Sequence, residues 1–464
     1  MRFLPFADVA TPDLPLSRLL RLSLFQVSVG MAMVLLTGTL NRVMIVELGV
    51  PTSLVALMVA IPVLAAPFRV LMGYRSDTYK SLLGWRRVPY IWLGTLLQFG
   101  GLAIMPFALL LLQSQTVGPT WAGPVGAALA FLLTGVGMHM AQTAGLALAT
   151  DLVAEDSRPR VVALVYVMLL VGMIISALAF GFLLSDFGAK ILIQVVQGAA
   201  VVTIALNIIA LWKQEARNPQ ATRVDREMPS FAQAMRAYAG DERAKRLMLA
   251  VAFGSAGFAM QDVLLEPYGG EVLGLSVSQT TLLTALWATG ALIGFAFAAR
   301  MLARGKDMYR LAATGALIGV ASFSCVVFAE PIGSANLFRF GAFLIGLGGG
   351  IFGVATMLAA MDVARGKADN GIVIGTWGAV QATAIGLGLA FGGFARDAVN
   401  VAAANGVFGS AMSAPAAGYS VVYHLEIGLL FAALVFLGPL VGQTVHTQTE
   451  TQERRSIGLV DLPG

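Results

Sequence analysis

Long apolar runs are the feature of this sequence that most restricts how the chain can fold. Runs of about 20 residues, the length that an α-helix needs to cross roughly 30 Å of hydrocarbon, recur along nearly all of the 464 residues. Hydrophobic residues make up 58% of the chain and charged residues 12%, which is not the composition of a water-soluble domain. The sequence therefore predicts an all-α membrane protein that crosses the bilayer many times.

The apolar runs fall into two sets of six, separated by a polar segment. The first set lies near 22–46, 50–72, 88–112, 122–150, 160–184 and 188–212. The second set lies near 246–273, 279–302, 309–330, 336–362, 370–395 and 419–442. This pattern predicts an N-terminal six-helix bundle over 1–212, a cytoplasmic linker over 213–245, a C-terminal six-helix bundle over 246–442 and a cytoplasmic tail over 443–464.

The positions of Lys and Arg predict the orientation of the chain. Cytoplasmic loops of membrane proteins collect these cations, and here most of the 30 lie in the two termini, the central linker and the loops on the same side. Both termini are therefore predicted to be cytoplasmic. Four cations are left for the spans or the far side: Arg42, Lys190, Arg339 and Arg396. Topology explains the net charge of +5, so no nucleic-acid partner is expected.

The seventh predicted span carries acidic residues in a region without cations. No Lys or Arg occurs from residue 247 to residue 299, yet Asp262 and Glu266 lie within that stretch. On a helix they stack one turn apart on the same face, and ionisable groups inside a membrane indicate function by default. Pro267, Gly269 and Gly270 are expected to loosen or end the helix, which makes Glu266 a residue of the helix end and Asp262 the better functional candidate. Arg42 is the predicted ion-pair partner of Asp262, across the interface between the bundles.

The loop between the second and third predicted spans has a recognisable pattern. It contains Gly73, Asp77, Gly84, Arg86 and Arg87. These residues resemble the signature loop of the major facilitator superfamily, and they are predicted to form a gating loop; the alternative is a plain basic loop on the cytoplasmic side. The resemblance implies the superfamily fold, with 12 transmembrane helices in two six-helix bundles and a ligand site between them near the midplane of the bilayer.

Four segments narrow this resemblance to one branch of the superfamily. They are 67–77, 84–90, 147–153 and 261–270. These segments resemble the PucC/LhaA type, also called the bacteriochlorophyll delivery family, and the resemblance extends over nearly the whole chain. The resemblance implies an assembly factor or chaperone for the light-harvesting complexes of purple phototrophic bacteria. It also implies a place in the bacterial inner or intracytoplasmic photosynthetic membrane. Antenna α and β polypeptides, bacteriochlorophyll and membrane lipid are the partners it implies.

His139 is a candidate pigment ligand near the middle of the fourth predicted span. A neutral imidazole there could bind the magnesium of a bacteriochlorophyll. Gln142 and Thr143 lie on the same flank of the helix and could donate hydrogen bonds to the pigment's carbonyl groups. The alternative is a histidine in a polar packing contact with a neighbouring helix.

The segment around the two acidic residues supplies the remaining candidates for ligand or pigment contacts: Gln261, Asp262, Glu266 and Tyr268. Three interpretations stay open for the carboxylates. They could be proton-coupling sites of a transporter, polar contacts to a pigment or partner helix, or a structural device.

An enzyme is the least expected class. The sequence has no Ser/His/Asp nucleophile arrangement and no metal-ligand cluster, and its one cysteine, Cys325, lies in an apolar run. Two functions stay open: an antenna assembly factor, or a secondary transporter that moves a small solute, with or without coupling to protons. The small number of charges within the spans favours the first.

Overall fold

Helices account for all regular structure in the residues that the computed structural model describes, which are 15–64, 85, 87–112, 119–153, 157–215, 242–364, 370–409 and 415–442. We number them α1 (Leu16–Glu47), α2 (Thr52–Leu64), α3 (Val88–Leu112), α4 (Ala122–Asp151), α5 (Arg158–Leu183), α6 (Ala189–Leu211), α7 (Glu242–Glu271), α8 (Val277–Ala303), α9 (Met308–Ile332), α10 (Ala335–Ala364), α11 (Asn370–Ala404) and α12 (Ala416–Leu437). Within these ranges, 11 helices are long and apolar enough to cross a membrane, and α2 is a shorter apolar helix. Each predicted span overlaps one helix.

Helix α1 is irregular along its second half. Two stretches, Val34–Thr39 and Val43–Glu47, have π-helical hydrogen bonding, with the short α-helical piece Leu40–Arg42 between them. A π-helical turn contains an extra residue and rotates the side chains that follow it, and such turns are frequent at functional sites. This irregular stretch carries Asn41 and Arg42.

The chain divides into two compact units. The first contains Met1–Leu36, Ala65–Met228 and Leu459–Gly464, and the second contains Thr37–Leu64 and Pro229–Gly458. The second half of α1 and the whole described part of α2 thus group with the C-terminal helices. The predicted division at 212, 245 and 442 stays a prediction.

Within the first unit, glycines bring α3 and α4 into close contact. A Cβ atom on Gly94 would lie 2.7 Å from both the carbonyl oxygen of Gly137 and the backbone nitrogen of Ala141. Small residues are the usual way for membrane helices to approach one another.

The interior of the first unit also holds an uncharged polar network. The Asn207 side chain donates to the Thr95 hydroxyl at 2.9 Å and accepts from the Ser28 hydroxyl at 3.1 Å, and Gln98 donates to the Ser28 carbonyl oxygen at 2.9 Å. All four side chains are fully buried. Amides and hydroxyls thus join α1, α3 and α6.

The core of the second unit is aromatic. The Tyr268 ring lies 5.4 Å from Phe338, 5.3 Å from Tyr419 and 5.5 Å from Tyr423, measured between ring centroids. Phe323 stacks on Tyr423 at 6.2 Å. The offset and edge-to-face arrangements suit the ring quadrupoles, so α7, α9, α10 and α12 share one packed centre.

Candidate functional site

The regular hydrogen-bond pattern of α7 is interrupted at Met260, between α7a (Glu242–Ala259) and α7b (Gln261–Glu271), while the Met260 backbone keeps α-helical dihedral angles. The Met260 backbone N–H reaches the Ala256 carbonyl oxygen only at 3.4 Å. α7b runs through Pro267 and Gly269 and ends at Glu271, two residues before the predicted end of the seventh span. A proline withholds only its own N–H, and membrane helices tolerate this where neighbouring groups compensate.

Asp262 lies in the first turn of α7b and is half-buried. Its carboxylate accepts a hydrogen bond from the side-chain amide of Gln261, which is itself buried. Its carbonyl oxygen accepts a hydrogen bond from the side chain of Asn41 at 3.1 Å. The backbone of Asp262 is therefore held against α1.

Glu266 is buried, with an exposed fraction of 3%. One carboxylate oxygen accepts a hydrogen bond from the Thr284 hydroxyl of α8 at 2.6 Å, and the other has no hydrogen-bond partner in the described ranges. Gly38 of α1 faces this carboxylate, and a Cβ atom there would collide with it. Glu266 is thus an interior residue of the second unit, which corrects its assignment to a helix end.

Arg42 forms an ion pair with Glu47 and donates a hydrogen bond to the Leu275 carbonyl oxygen at 3.2 Å. Gly270 leaves space for the guanidinium group, since a Cβ atom there would lie 3.0 Å from Nη2. The structure therefore corrects the predicted pair with Asp262. Successive residues of a helix point about 100° apart, so Asn41 faces Asp262 while Arg42 faces the turn between α7b and α8.

Tyr268 belongs to the aromatic core, with an exposed fraction of 3%. Its hydroxyl donates to the Val326 carbonyl oxygen at 3.5 Å. Gln261, Glu266 and Tyr268 are thus all enclosed by the second unit. Among the predicted residues of α7b, only Asp262 is partly open.

Sequence reasoning assigned no role to a charged cluster around Arg396 of α11. The guanidinium group of Arg396 pairs with Glu271 and with Asp397, and it lies 4.7 Å from the centre of the Tyr419 ring. The Tyr419 hydroxyl donates to Glu271 at 2.9 Å. The sequence contained one indication of this cluster: Arg396 is one of four Lys and Arg residues that the predicted cytoplasmic loops do not contain.

Glu426 of α12 was also missed. It is fully buried, and neither of its carboxyl oxygens has a hydrogen-bond partner among the described residues. It lies three residues after Tyr423 and seven after Tyr419, so it shares their inward face of the helix. That spacing was the signal in the sequence.

The predicted pigment residues of α4 belong to the first unit. His139, Gln142 and Thr143 are each half-buried. The Thr143 hydroxyl donates to the His139 carbonyl oxygen at 2.8 Å, and the Gln142 amide donates to Gln26 at 3.5 Å. The Nε2 atom of His139 is buried.

Of the predicted gating loop, Gly73, Asp77, Gly84 and Arg86 lie outside the described residues. The remaining member, Arg87, is buried, and its Nε atom donates to Asp151 at 3.1 Å.

The N-terminus of α3 is capped from the first turn of the linker. The Glu215 carboxylate accepts hydrogen bonds from the backbone N–H groups of Arg87 and Val88, at 3.1 and 2.9 Å. A carboxylate at this end of a helix is favoured by the helix dipole.

Comparison with solved structures defines the fold. The chain is similar to a mutant form of the nucleoside transporter NupG, with a TM-score of 0.66 and 12% identity over 90% of this chain and 99% of that one. It is equally similar to a bacterial homologue of the human lysosomal transporter Spinster, with a TM-score of 0.66 and 16% identity over 91% and 95% of the two chains. The chain is a multi-pass membrane protein with the major facilitator superfamily fold, as predicted.

Comparison with protein families identifies the family to which this membrane protein belongs. The model of the family described as PUCC protein matches residues 39–445, and the chain belongs to that family, which confirms the prediction. An uncharacterised protein of the puhA–bchM intergenic region of Rhodobacter capsulatus is 57% identical over 100% of this chain and 97% of its own length. Protein PucC of Rhodovulum sulfidophilum is 55% identical over 86% of this chain and 89% of its own length, and PucC of Rhodobacter capsulatus is 51% identical over 95% of each.

Proposed function

We propose that this protein acts in the assembly of light-harvesting complexes in a purple phototrophic bacterium, as a non-enzymatic membrane chaperone. The observation that carries the proposal is the PUCC family match over residues 39–445, with PucC proteins about half identical along nearly the whole chain. Antenna assembly is the role that the resemblance of the sequence implies. In this role the protein shields newly inserted antenna polypeptides, delivers bacteriochlorophyll to them, or does both.

The burial of the interior residues favours clients that dock on the outer, lipid-facing surface of the helices. Gln261, Glu266 and Tyr268 have exposed fractions of 2%, 3% and 3%, so they offer little contact area to a client. The polar network of the first unit is buried as well. Antenna polypeptides are themselves membrane helices, so they can approach laterally through the lipid.

Bacteriochlorophyll enters the proposal as cargo. His139 fits the chemistry of a magnesium ligand, but its covered Nε2 atom means that neighbouring side chains must move before a pigment can bind there. We therefore assign the pigment to the complex of the protein with its antenna clients, and not to His139.

The test is co-purification from phototrophically grown cells in mild detergent. We expect the tagged protein to carry antenna polypeptides, identified by mass spectrometry, and bacteriochlorophyll, identified by its absorption spectrum. A strain lacking the gene should lose antenna absorbance relative to the reaction centre. Complementation with the Asp262→Ala variant should restore less antenna absorbance than complementation with Glu242→Ala. The Glu242→Ala variant is the matched control, because it removes a carboxylate at an exposed position of the same helix.

A secondary transporter is the second candidate. Asp262 and Glu266 in α7b form no ion pair with Arg42 or Arg396, and unpaired carboxylates inside a membrane occur in ion and proton pathways. If the purified protein carried neither pigment nor antenna polypeptides, and proteoliposomes containing it moved a solute, the transporter would replace the chaperone as our conclusion.

A further inference from the structure

An exposed histidine, His424, lies within α12, a helix that is long and apolar enough to cross a membrane. Along the helix axis, His424 comes about 12 Å after the first residue, Ala416, and about 20 Å before the last, Leu437. Since the hydrocarbon core is about 30 Å thick, these distances place the imidazole well inside it.

The face of α12 that carries His424 is otherwise apolar. Gly428, Phe431 and Val435 follow at the spacings that keep residues on one helix face, and all three are exposed. The other ionisable side chains of α12 are buried: Tyr419, Tyr423 and Glu426. Ionisable residues of membrane spans usually face the protein interior, and lipid tails offer them no polar partner. An imidazole on the exposed face therefore indicates a ligand that arrives through the lipid.

The ring of His424 is held in one orientation by its own helix. Its Nδ1 atom lies 2.7 Å from the Ser420 carbonyl oxygen and 3.5 Å from the Ser420 hydroxyl. A carbonyl oxygen can only accept a hydrogen bond, so Nδ1 donates, and the lone pair of the neutral ring is on Nε2. This Nε2 atom has no hydrogen-bond partner among the described residues. Histidines that bind metals commonly donate their other N–H to a backbone carbonyl in this way.

A single imidazole suits a metal that already has most of its ligands. The described ranges contain no group of three or more His, Cys, Asp or Glu that could hold a bare metal ion. In a tetrapyrrole the ring nitrogens hold the metal in a plane, and one histidine can fill an axial position. The flat, apolar ring also needs open space beside that histidine. Gly428, one turn after His424, leaves such space, because no atom lies within 4 Å of its Cβ position.

We propose that His424 is an axial ligand for a magnesium tetrapyrrole, which binds on the exposed face of α12 with its metal on Nε2. The inference rests on the proposed antenna role, which makes bacteriochlorophyll the tetrapyrrole concerned. His424 binds and orients the pigment on a surface that a membrane helix can approach through the lipid. Transfer to such a helix then requires only that a ligand on the client replace His424 on the magnesium.

The test is a titration of bacteriochlorophyll a into the full-length protein in lipid nanodiscs. The Qx absorption band reports the axial ligation of the magnesium, and empty nanodiscs give the baseline for pigment dissolved in lipid. Loss of an orienting partner alone costs about tenfold in metal affinity, so His424→Ala, which removes the ligand itself, should weaken binding by at least that factor. Added imidazole should restore the band, because it supplies the missing ligand. Val201→Ala shortens a side chain of α6 that is 63% exposed and should bind pigment as the wild type does.

Two outcomes with the variants would overturn the site. One is wild-type affinity in His424→Ala, and the other is a loss of binding that imidazole does not restore, which would make His424 a packing residue. If His424→Ala does not fold, His424→Leu takes its place, because it keeps the bulk of the side chain on an apolar face. 

Failure of this site is distinguishable from failure of the antenna role. If the wild-type protein gives only the band of empty nanodiscs but still carries antenna polypeptides from cells, the site at His424 is rejected and the antenna role stands. If the protein carries no antenna polypeptides, the antenna role is rejected, and with it the assignment of bacteriochlorophyll to His424.

Discussion

The interiors of the two compact units are polar in different ways. The first is joined by uncharged groups, namely Ser28, Thr95, Gln98 and Asn207. The second is joined by charged or ionisable groups, namely Arg42 with Glu47, Arg396 with Glu271 and Asp397, and the carboxyl groups of Asp262, Glu266 and Glu426.

This difference decides what happens when one partner is removed. The hydroxyls of Ser28 and Thr95 also bond to carbonyl oxygens of their own helix, each at 2.8 Å, so they keep a partner if Asn207 is lost. If Arg396 is lost, no other cation among the described residues forms an ion pair with Glu271. The polar network of the first unit is therefore expected to tolerate the loss of one side chain, whereas the second interior depends on each charged partner.

The largest effect is expected for Arg396→Ala in the second unit. It leaves the Glu271 carboxylate without its cation, and breaking a buried pair costs about 3 kcal/mol of unfolding free energy. Unfolding of the purified protein in detergent measures this loss. The double variant Arg396→Ala with Glu271→Gln also removes the Glu271 charge, although Asp397 still lacks its cation, and should recover part of the loss; no recovery would show that the Glu271 charge is not a source of it.

Gly94→Ala should have the next largest effect, in the first unit. The added methyl group meets backbone atoms of α4 that cannot turn away, and overpacking costs about 2 kcal/mol. Gly100→Ala is the matched control in α3, because no atom lies within 4 Å of its Cβ position. Equal melting temperatures for the two variants would mean that the close packing of α3 against α4 does not determine the stability of the first unit.

Asn207→Leu should cost less, about 0.6 kcal/mol, the average for a hydrogen bond between membrane helices. Ser28 and Thr95 keep their bonds to the backbone in this variant. The same unfolding measurement applies. If Asn207→Leu lowered the unfolding free energy as much as Arg396→Ala, the uncharged interior would be as sensitive to substitution as the charged one.

The smallest effect is expected for Lys245→Ala, at the exposed end of α7a. Lys245 and Glu242 form a pair at 3.5 Å with exposed side-chain fractions of 48% and 76%, and such surface pairs are worth less than about 0.5 kcal/mol. If Lys245→Ala lowered the unfolding free energy as much as Arg396→Ala, burial would not determine how much an ion pair stabilises the second unit.

The helices could be predicted more fully than the site. Each span was found because an apolar run of the required length has few alternatives in a membrane, and α3 begins and ends as predicted, at Val88 and Leu112. The Asp262 and Glu266 positions were also visible in the sequence. The predicted end of the seventh span, residue 273, also lies close to the observed end of α7 at Glu271.

The partners of the charged residues could not be predicted, and Arg42 shows why. Charge and a shared position near the far end of the spans favoured Asp262. In the structure Arg42 lies between two π-helical stretches of α1 and meets Glu47 and the Leu275 carbonyl oxygen instead. Glu426 carried no local signal beyond its spacing from two tyrosines. Its burial depends on how α7b and α12 pack.

The sequence by itself determined that the chain is a multi-pass helical membrane protein, and its motifs indicated its family. Both follow from local properties, since each span must satisfy its own backbone hydrogen bonds in lipid. Only the tertiary structure decided that Glu266 and Glu426 are interior and that Arg396 pairs with Glu271. Those facts depend on which helix faces turn toward each other, and that is a property of the packed chain.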